Sequence, residues 1–411
     1  MGRRFPLLQY PGYVRFWTAD AISVAGSSFT MLAIPFIAEK TLDVSVTELG
    51  ILRGAGWLPY LLFGLLAGVY VDRHRRQPIL IGADLARAII LAVVPIAAAF
   101  DALTLPVLLG VVFAFGAVSM LYDAAHQSFP PALVPKPLLT VAWARLEQSG
   151  AVSATGAPPV AGSVITLLGA PLAMLVDAVS YLFSGVLLAT VRPLHPEVAI
   201  GKDQPRNLRR EIREGLAWVY HGSTFRPFAL SSHLWMFAQG MITTLMLALL
   251  LDEMDLNGLQ VGIIFAATGL GAVFGSTGSE WFGRRFGVGP AIIACRWVSP
   301  IAYATVPLAG DSAGGIVLLC AGQLLFGLSL GLDGPIEMGY RQSATPPELL
   351  GRLNATLRSL NRGMIVIGAP LGGILADRLG IRPALWIGIA IMVAQALLLQ
   401  VSRFRHARIT D

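Results

Sequence analysis

The chain has 411 residues, of which 55% are hydrophobic and 13% charged, and its mean hydropathy is +0.68. A soluble domain carries about 25% charged residues, so a water-soluble fold is excluded for want of polar surface. The net charge of +6 raises nucleic-acid binding, which the placement of the charges argues against. The apolar residues come in long blocks, and a span needs about 20 of them to cross about 30 Å of hydrocarbon. That ruler predicts twelve membrane helices, over 14–38, 47–71, 78–100, 104–127, 141–168, 171–192, 225–251, 257–282, 288–309, 313–340, 352–375 and 383–402. The basic N-terminus leads into the first of these without a small-residue cleavage site, so it reads as a span and not as a removable signal peptide.

Twelve spans put both ends on one side, and the basic residues identify it. Arg3, Arg4, Arg73, Arg75, Arg76, Lys136, Lys202, Arg206, Arg209, Arg210, Arg213, Arg284, Arg285, Arg341, Arg403, Arg405 and Arg408 fall on one set of loops. The opposite loops hold Lys40, Arg378 and Arg382 among acids such as Glu39, Asp43, Asp252 and Asp255. The positive-inside rule makes the first side cytoplasmic, in a bacterial inner membrane. The basic bias is then topology, and no nucleic-acid partner is expected.

Sliding the sequence by 211 positions lays Phe115-Gly116 on Phe326-Gly327, Pro159 on Pro370, Gly162 on Gly373 and Gly169 on Gly380. A constant offset of about half the chain indicates a duplicated six-helix unit, and parallel repeats of this kind hold their substrate path between the halves. The expected organisation is an N-terminal half over 1–192, a linker over 193–223 and a C-terminal half over 224–411. Within the linker, Leu208, Ile212, Leu216 and Val219 recur at helical spacing opposite Arg209, Arg210, Arg213 and Glu214. This is an amphipathic helix suited to the membrane surface, or a spacer between two rigid bodies.

The loop after the second span reads Gly64-Leu-Leu-Ala-Gly68-Val-Tyr-Val-Asp72-Arg73-His74-Arg75-Arg76, and that after the eighth reads Glu280-Trp-Phe-Gly283-Arg284-Arg285. A carboxylate and arginines at a helix end can form a charge-assisted latch. Both loops resemble the signature loop of the major facilitator superfamily, with Gly68, Asp72, Arg73 and Arg76 matching in the first copy. In the second copy Glu280 stands for the Asp, and Gly283, Arg284 and Arg285 follow. The segment Gly156-Ala-Pro158-Pro159-Val-Ala161-Gly162 resembles the exporter segment of that superfamily, with alanine at two glycine positions. Over its whole length the chain is similar to the branch that exports drugs, macrolides and siderophores such as enterobactin. It departs from that branch at Ser27-Ser28, where Gly-Asp is common. The resemblance implies an all-α fold of two pseudo-symmetric six-helix halves, working as a monomer. It also implies that spans one, four, seven and ten line the central cavity.

Ionisable residues at membrane depth are costly and are functional candidates by default. Asp84 and Arg87, three apart on one helix, are expected to pair and to form an inner charge cluster with Asp123 and Glu147. Asp177 reads as structural, and Arg296 as the second-half counterpart of Arg87. Asp20, and Asp333 with Glu337 one helical turn away, are candidates for the coupling proton, with Arg358 and Arg362 as their counter-ions. Trp17, Met31, Phe113, Met120, Trp235, Gln239 and Phe326 offer aromatic and thioether surface to an amphiphilic, possibly cationic, guest. The six histidines form no metal-ligand grouping, and neither a Walker loop nor a nucleophile elbow occurs. The two cysteines, Cys295 and Cys320, sit in apolar blocks. No enzyme, cofactor or metal is therefore expected. The sequence reads as a secondary transporter exporting small molecules in exchange for protons. Import or lipid flipping by the same fold is the alternative, and a non-transporting scaffold the alternative from another class.

Overall fold

A computed structural model describes residues 6–194, 208–221 and 225–407. Among them are thirteen α-helices and no strand: α1 (Pro11–Phe36), α2 (Val46–Arg73), α3 (Arg76–Ala99), α4 (Leu105–Ser128), α5 (Leu139–Leu168), α6 (Ala170–Ala189), α7 (Leu208–His221), α8 (Phe225–Ala248), α9 (Gly258–Phe286), α10 (Val288–Leu308), α11 (Ala313–Ser343), α12 (Pro347–Leu379) and α13 (Ile381–Val401). Eleven are long and apolar enough to cross a membrane by length and composition. The twelfth, α2, has 28 residues, about 42 Å at 1.5 Å per residue, and packs between α4 and α12. The twelve long helices are those the hydropathy predicts; α12 runs a turn further at its N-terminal end because Pro347 starts it at N1. Large apolar side chains such as Leu167, Ile89 and Val317 point outward, 80%, 70% and 67% exposed, as a lipid-facing belt requires.

The helices before α7 pack mainly among themselves, α3 on α6, α1 on α5 and α6, and α2 on α4. Those after it do the same, α9 on α11, α8 on α12 and α13, and α10 on α11. Two pairs make most of the contact between the halves, α5 with α9 and α2 with α12. The duplication extends to local geometry. A π turn ends α1 at Ile37–Thr41 and another ends α8 at Leu249–Glu253. Each is followed by an aspartate with positive φ, Asp43 at 49° and Asp255 at 46°. A reciprocal capping box then opens the next helix, Ser45 with Glu48 and Asn257 with Gln260, which satisfies two free N–H groups at each start. Gly169 and Gly380, the pair related by 211 positions, both turn at positive φ of 86° and 92°, a conformation that excludes side chains with a Cβ.

One face of the bundle carries the start of α1, the α2–α3 turn, α7 and the end of α13, and is called here the basic face; the other is the far face. The linker residues 195–207 and 222–224 lie outside the described ones. Helix α7 does not rest free on a membrane surface: it is docked on α12. Gly215 meets the backbone carbonyl of Arg352, Val219 is fully buried with Leu353 and Leu357, and Glu214 pairs with Arg352. Leu216 stays partly exposed at 36%, so the amphipathic stripe is shared between protein and surroundings. A hydrogen bond from Arg210, with Arg352 adding its charge, holds Glu214 below the usual carboxylate range.

A depressed carboxyl contributes above its unfolded-state pKa, about 4.3, and that contribution is lost as pH falls through the lower folded value. Glu214→Gln should therefore speed amide hydrogen exchange in α7 at neutral pH. The difference from wild type should vanish below the ordinary carboxylate range. Equal exchange at neutral pH would show that the ion pairs do not hold the linker helix.

Candidate functional site

The halves approach most closely toward the far face. A Cβ on Gly162 would fall 2.0 Å from the carbonyl oxygen of Gly258, and one on Gly373 would fall 2.4 Å from that of Val46. Such distances mean backbone against backbone, the packing small residues permit. The Pro158–Pro159 segment is where α5 meets α9, with Gly262 against the Pro158 carbonyl. Lys40 Nζ lies 2.5 Å from Asp255 Oδ1 across the same seam, and the backbone N–H of Thr47 donates to Asp377 at 3.1 Å. Near the basic face, glycines at 68, 150 and 351 have open space where a Cβ would stand. The halves are thus joined from the far face inward and part toward the basic face.

Two cavities lie along this seam. The deeper, of about 430 Å³, is bounded by α1, α2, α4 and α6, with Arg87 from α3 and Thr244 and Leu247 from α8. Its α4 wall is Val112, Phe115, Gly116, Ser119 and Asp123, one helical face by spacing. A vestibule of about 330 Å³ continues toward the basic face between α2, α4 and α12. Tyr60 and Asp123 line both. At that junction Tyr60 donates to Asp123 at 2.8 Å, Arg362 of α12 lies 3.7 Å from Asp123, and its guanidinium sits 3.9 Å over the Tyr60 ring and 5.1 Å from that of Trp57. A cross-half cation, a carboxylate and two aromatics therefore close the neck between the two spaces.

Several expected groupings are rearranged. Arg358 and Arg362 are not the counter-ions of Asp333 and Glu337: Arg358 donates to Gln127 at 3.0 Å and Arg362 faces Asp123. They reach across to α4 because α12 turns that face to the N-terminal half. The cation beside Asp333 and Glu337 is Arg296, 3.2 and 2.9 Å away, with Arg341 a further 3.1 Å from Glu337. The four-membered inner cluster does not assemble either. Asp84 and Arg87 pair, Ser184 donates to Asp84 at 2.6 Å, and Arg87 is sandwiched between the rings of Tyr122 and Tyr181 at 3.9 and 4.1 Å. These residues lie two to three turns inside α3, not at its end. Asp123 joins the neck, while Glu147 is exposed and makes no ion pair among the described residues.

Asp20, 6% exposed, has His126 Nε2 2.8 Å away, a contact not aligned as a hydrogen bond, in a box with Phe16, Tyr122 and Trp143. Asp177 is fully buried and accepts from Thr30 and Ser180. Of the guest-binding candidates, Met31 lines the deep cavity and Met120 the vestibule. Phe113 lies off the lining face by one residue, a rotation of about 100°. Trp17 is held by Ser149, and Trp235, Phe326, Tyr303 and Gln239 pack on one another inside the C-terminal half. In the first signature loop the Asp72 side chain lies outside what is described, Arg73 is exposed and Arg76 is buried, while Gln77 donates to the carbonyls of Leu188 and Val191 at the end of α6. In the second, Glu280 pairs with Arg284 of its own helix at 2.6 Å and Arg285 is exposed. Among the described residues the second copy therefore makes no ion pair between halves, in keeping with parted basic ends. The sequence reading missed Tyr60, His126 and Arg53; of these only Arg53 left a signal, a charge inside an apolar block.

These helices and cavities define a transporter of the major facilitator fold. The fold superposes on a bacterial homologue of the iron transporter ferroportin in its inward-facing state with a TM-score of 0.76 at 16% identity, covering 96% of this chain and 99% of that one. Against a bacterial ferroportin homologue in the outward-facing state the score is 0.64 at 17% identity, over 95% and 98% of the chains. The profile of the family described as transmembrane secretion effector matches residues 5–411. The chain belongs to that family of major facilitator transporters, and is a multi-pass membrane protein. It is 26% identical over 373 residues to macrolide efflux protein A of Streptococcus pyogenes, covering 90% of each. It is 25% identical over 372 residues to the multidrug efflux pump Tap of Mycolicibacterium fortuitum, covering 87% of each.

Removing one partner of a buried charge group costs about 3–5 kcal/mol, because the others are left uncompensated. Arg296→Gln should lower the thermal stability of the purified protein, and Asp333→Asn in the same chain should restore part of the loss. A melting temperature unmoved by Arg296→Gln would mean the acids are held by other groups.

Proposed function

We propose that the protein exports amphiphilic small molecules from a bacterial cytoplasm by alternating access, driven by protons. The observation that carries this reading is the deep cavity sealed at the far face by backbone contact and continued toward the basic face by a vestibule. With the basic face cytoplasmic by the positive-inside rule, this is the cargo-loading state of an exporter. The higher similarity to the inward-facing ferroportin homologue supports the same state, and the efflux names of two relatives support the direction.

Coupling is assigned to Asp20, Asp333 and Glu337. Each is a carboxylate within reach of a cation or imidazole inside one half, and protonation would release that partner and change how the half packs. A membrane potential supplies about 2.3 kcal/mol per charge per 100 mV, to which a pH gradient adds. Opening toward the far face requires Lys40 to leave Asp255 and the glycine seams to separate, while Arg362 and Asp123 mark the neck that cargo passes.

The test is extrusion of a panel of amphiphilic dyes and antibiotics from an efflux-deficient bacterial host, with and without a protonophore. Wild type should extrude some of the panel, and the protonophore should abolish it. Asp20→Asn, Asp333→Asn and Glu337→Gln should each be made, and at least one should lose uphill transport while keeping exchange. Uphill extrusion by all three variants would overturn the proton assignment. Uptake in place of extrusion would overturn the direction.

A further inference from the structure

Among the described residues, Arg53 is the one charged side chain lining the deep cavity that has no ion-pair partner. Arg87, on the same wall, has Asp84, and Asp123 has Tyr60 and Arg362. Arg53 makes no ion pair and no hydrogen bond among the described residues, and its Nε is buried without a partner. It stands seven residues before Tyr60 on α2, about 10 Å along the axis, so Asp123 at the neck is out of reach. Glu39, an acid toward the far face with a buried unpartnered oxygen, makes no ion pair with it. An arginine with no counter-ion at membrane depth is costly to keep, which makes its retention inside a closed space informative.

The surrounding wall is apolar and aromatic, with Ile34, Leu49, Trp57, Val112 and Phe115. A guest that fits carries a flat apolar body and one group able to take two parallel N–H bonds from a guanidinium, the geometry of a carboxylate. We propose that Arg53 anchors cargo in the deep cavity and that the favoured cargo is an amphiphilic organic acid whose carboxylate seats on it. The inference rests on the deep cavity being the cargo site, and it departs from the cationic guest that aromatic and methionine content alone brings to mind. Seating the acid neutralises the cavity's one unanswered charge. An empty carrier keeps that charge in the deep cavity, whereas a loaded one has none to carry through the seam.

The probe pair is 2-naphthoate and 2-naphthamide, one ring system with and without the charge. Binding is measured by calorimetry on the purified full chain in neutral-detergent micelles, for wild type, Arg53→Gln and Arg53→Lys, with empty micelles and a thermal melt of each variant as controls. Wild type should bind the acid roughly ten- to a hundredfold tighter than the amide, the range of a charge-assisted hydrogen-bonded pair. Arg53→Gln should bring the two affinities together, and Arg53→Lys, which keeps the charge and loses the fork, should retain part of the preference. Equal affinities in wild type, a preference that survives Arg53→Gln in folded protein, or no binding of the acid overturns the proposal. Because binding needs neither a gradient nor a direction, its failure is distinct from failure of the export reading, which extrusion of dyes decides.

Discussion

Arg53 apart, the arginines deepest in this bundle are each answered by another charge or an aromatic face, and that constraint sorts the molecule into rigid and movable parts. Arg87 is held by Asp84 and by two tyrosine rings inside the N-terminal half. Arg296 is held by Asp333 and Glu337, and lies 5.3 Å over Trp235, inside the C-terminal half. The two arginines lie on corresponding helices of the duplicated halves, α3 and α10, though their acids do not correspond, and each cluster ties helices of its own half together. While its ion pairs are intact each half resists deformation, because breaking either cluster exposes a buried ion. The pairs that cross the seam are of another kind. Lys40 and Asp255 are 41% and 84% exposed, a setting in which an ion pair contributes little. Strong charge pairing within halves and weak pairing between them is the arrangement that rocking bodies need.

The seam draws its hold from shape. Where Gly162 faces Gly258 and Gly373 faces Val46, two backbones share the space that a pair of side chains would fill. Without a hydrophobic driving force in lipid, such close approach supplies association through dispersion. That attraction falls off over a fraction of an ångström, so the contact is firm when closed and contributes nothing once parted. The flanking π turns and capping boxes are duplicated with it, which keeps the helix ends on the two sides of the seam alike.

Much of this was legible in one dimension. Twelve apolar blocks and a constant offset give the helices and the two halves, because span length and duplication are written locally. The Asp84–Arg87 pair was also legible, since three residues along a helix means one face. What failed were judgements about which face looks where. Arg358 and Arg362 lie on a helix whose turned face meets α4, and no local pattern records that. Phe113 was read as lining the cavity, yet it sits one residue off the lining face. Arg53 went unremarked because the hydropathy of its block is high enough to absorb one charge. The linker helix was legible as amphipathic, but whether lipid or protein takes its apolar stripe depends on the space Gly215 leaves beside α12.

The cavity is not shared evenly between the halves, and this bears on how cargo would travel. Its walls come from α1, α2, α3, α4 and α6, and the C-terminal half adds Thr244 and Leu247. The equivalent aromatic material of that half, Trp235, Tyr303 and Phe326, is packed on itself with Gln239 and leaves no room for a guest. A cargo bound here rests chiefly on one rigid body. In the proposed alternation the C-terminal half would swing across a site that keeps its shape, carrying Arg362 away from the neck on one stroke and the glycine seam away from the far end on the other. The duplicated sequence thus supplies symmetric hinges and seams to an asymmetric site, because the ends of the two halves must meet in both states while the guest needs only one firm wall.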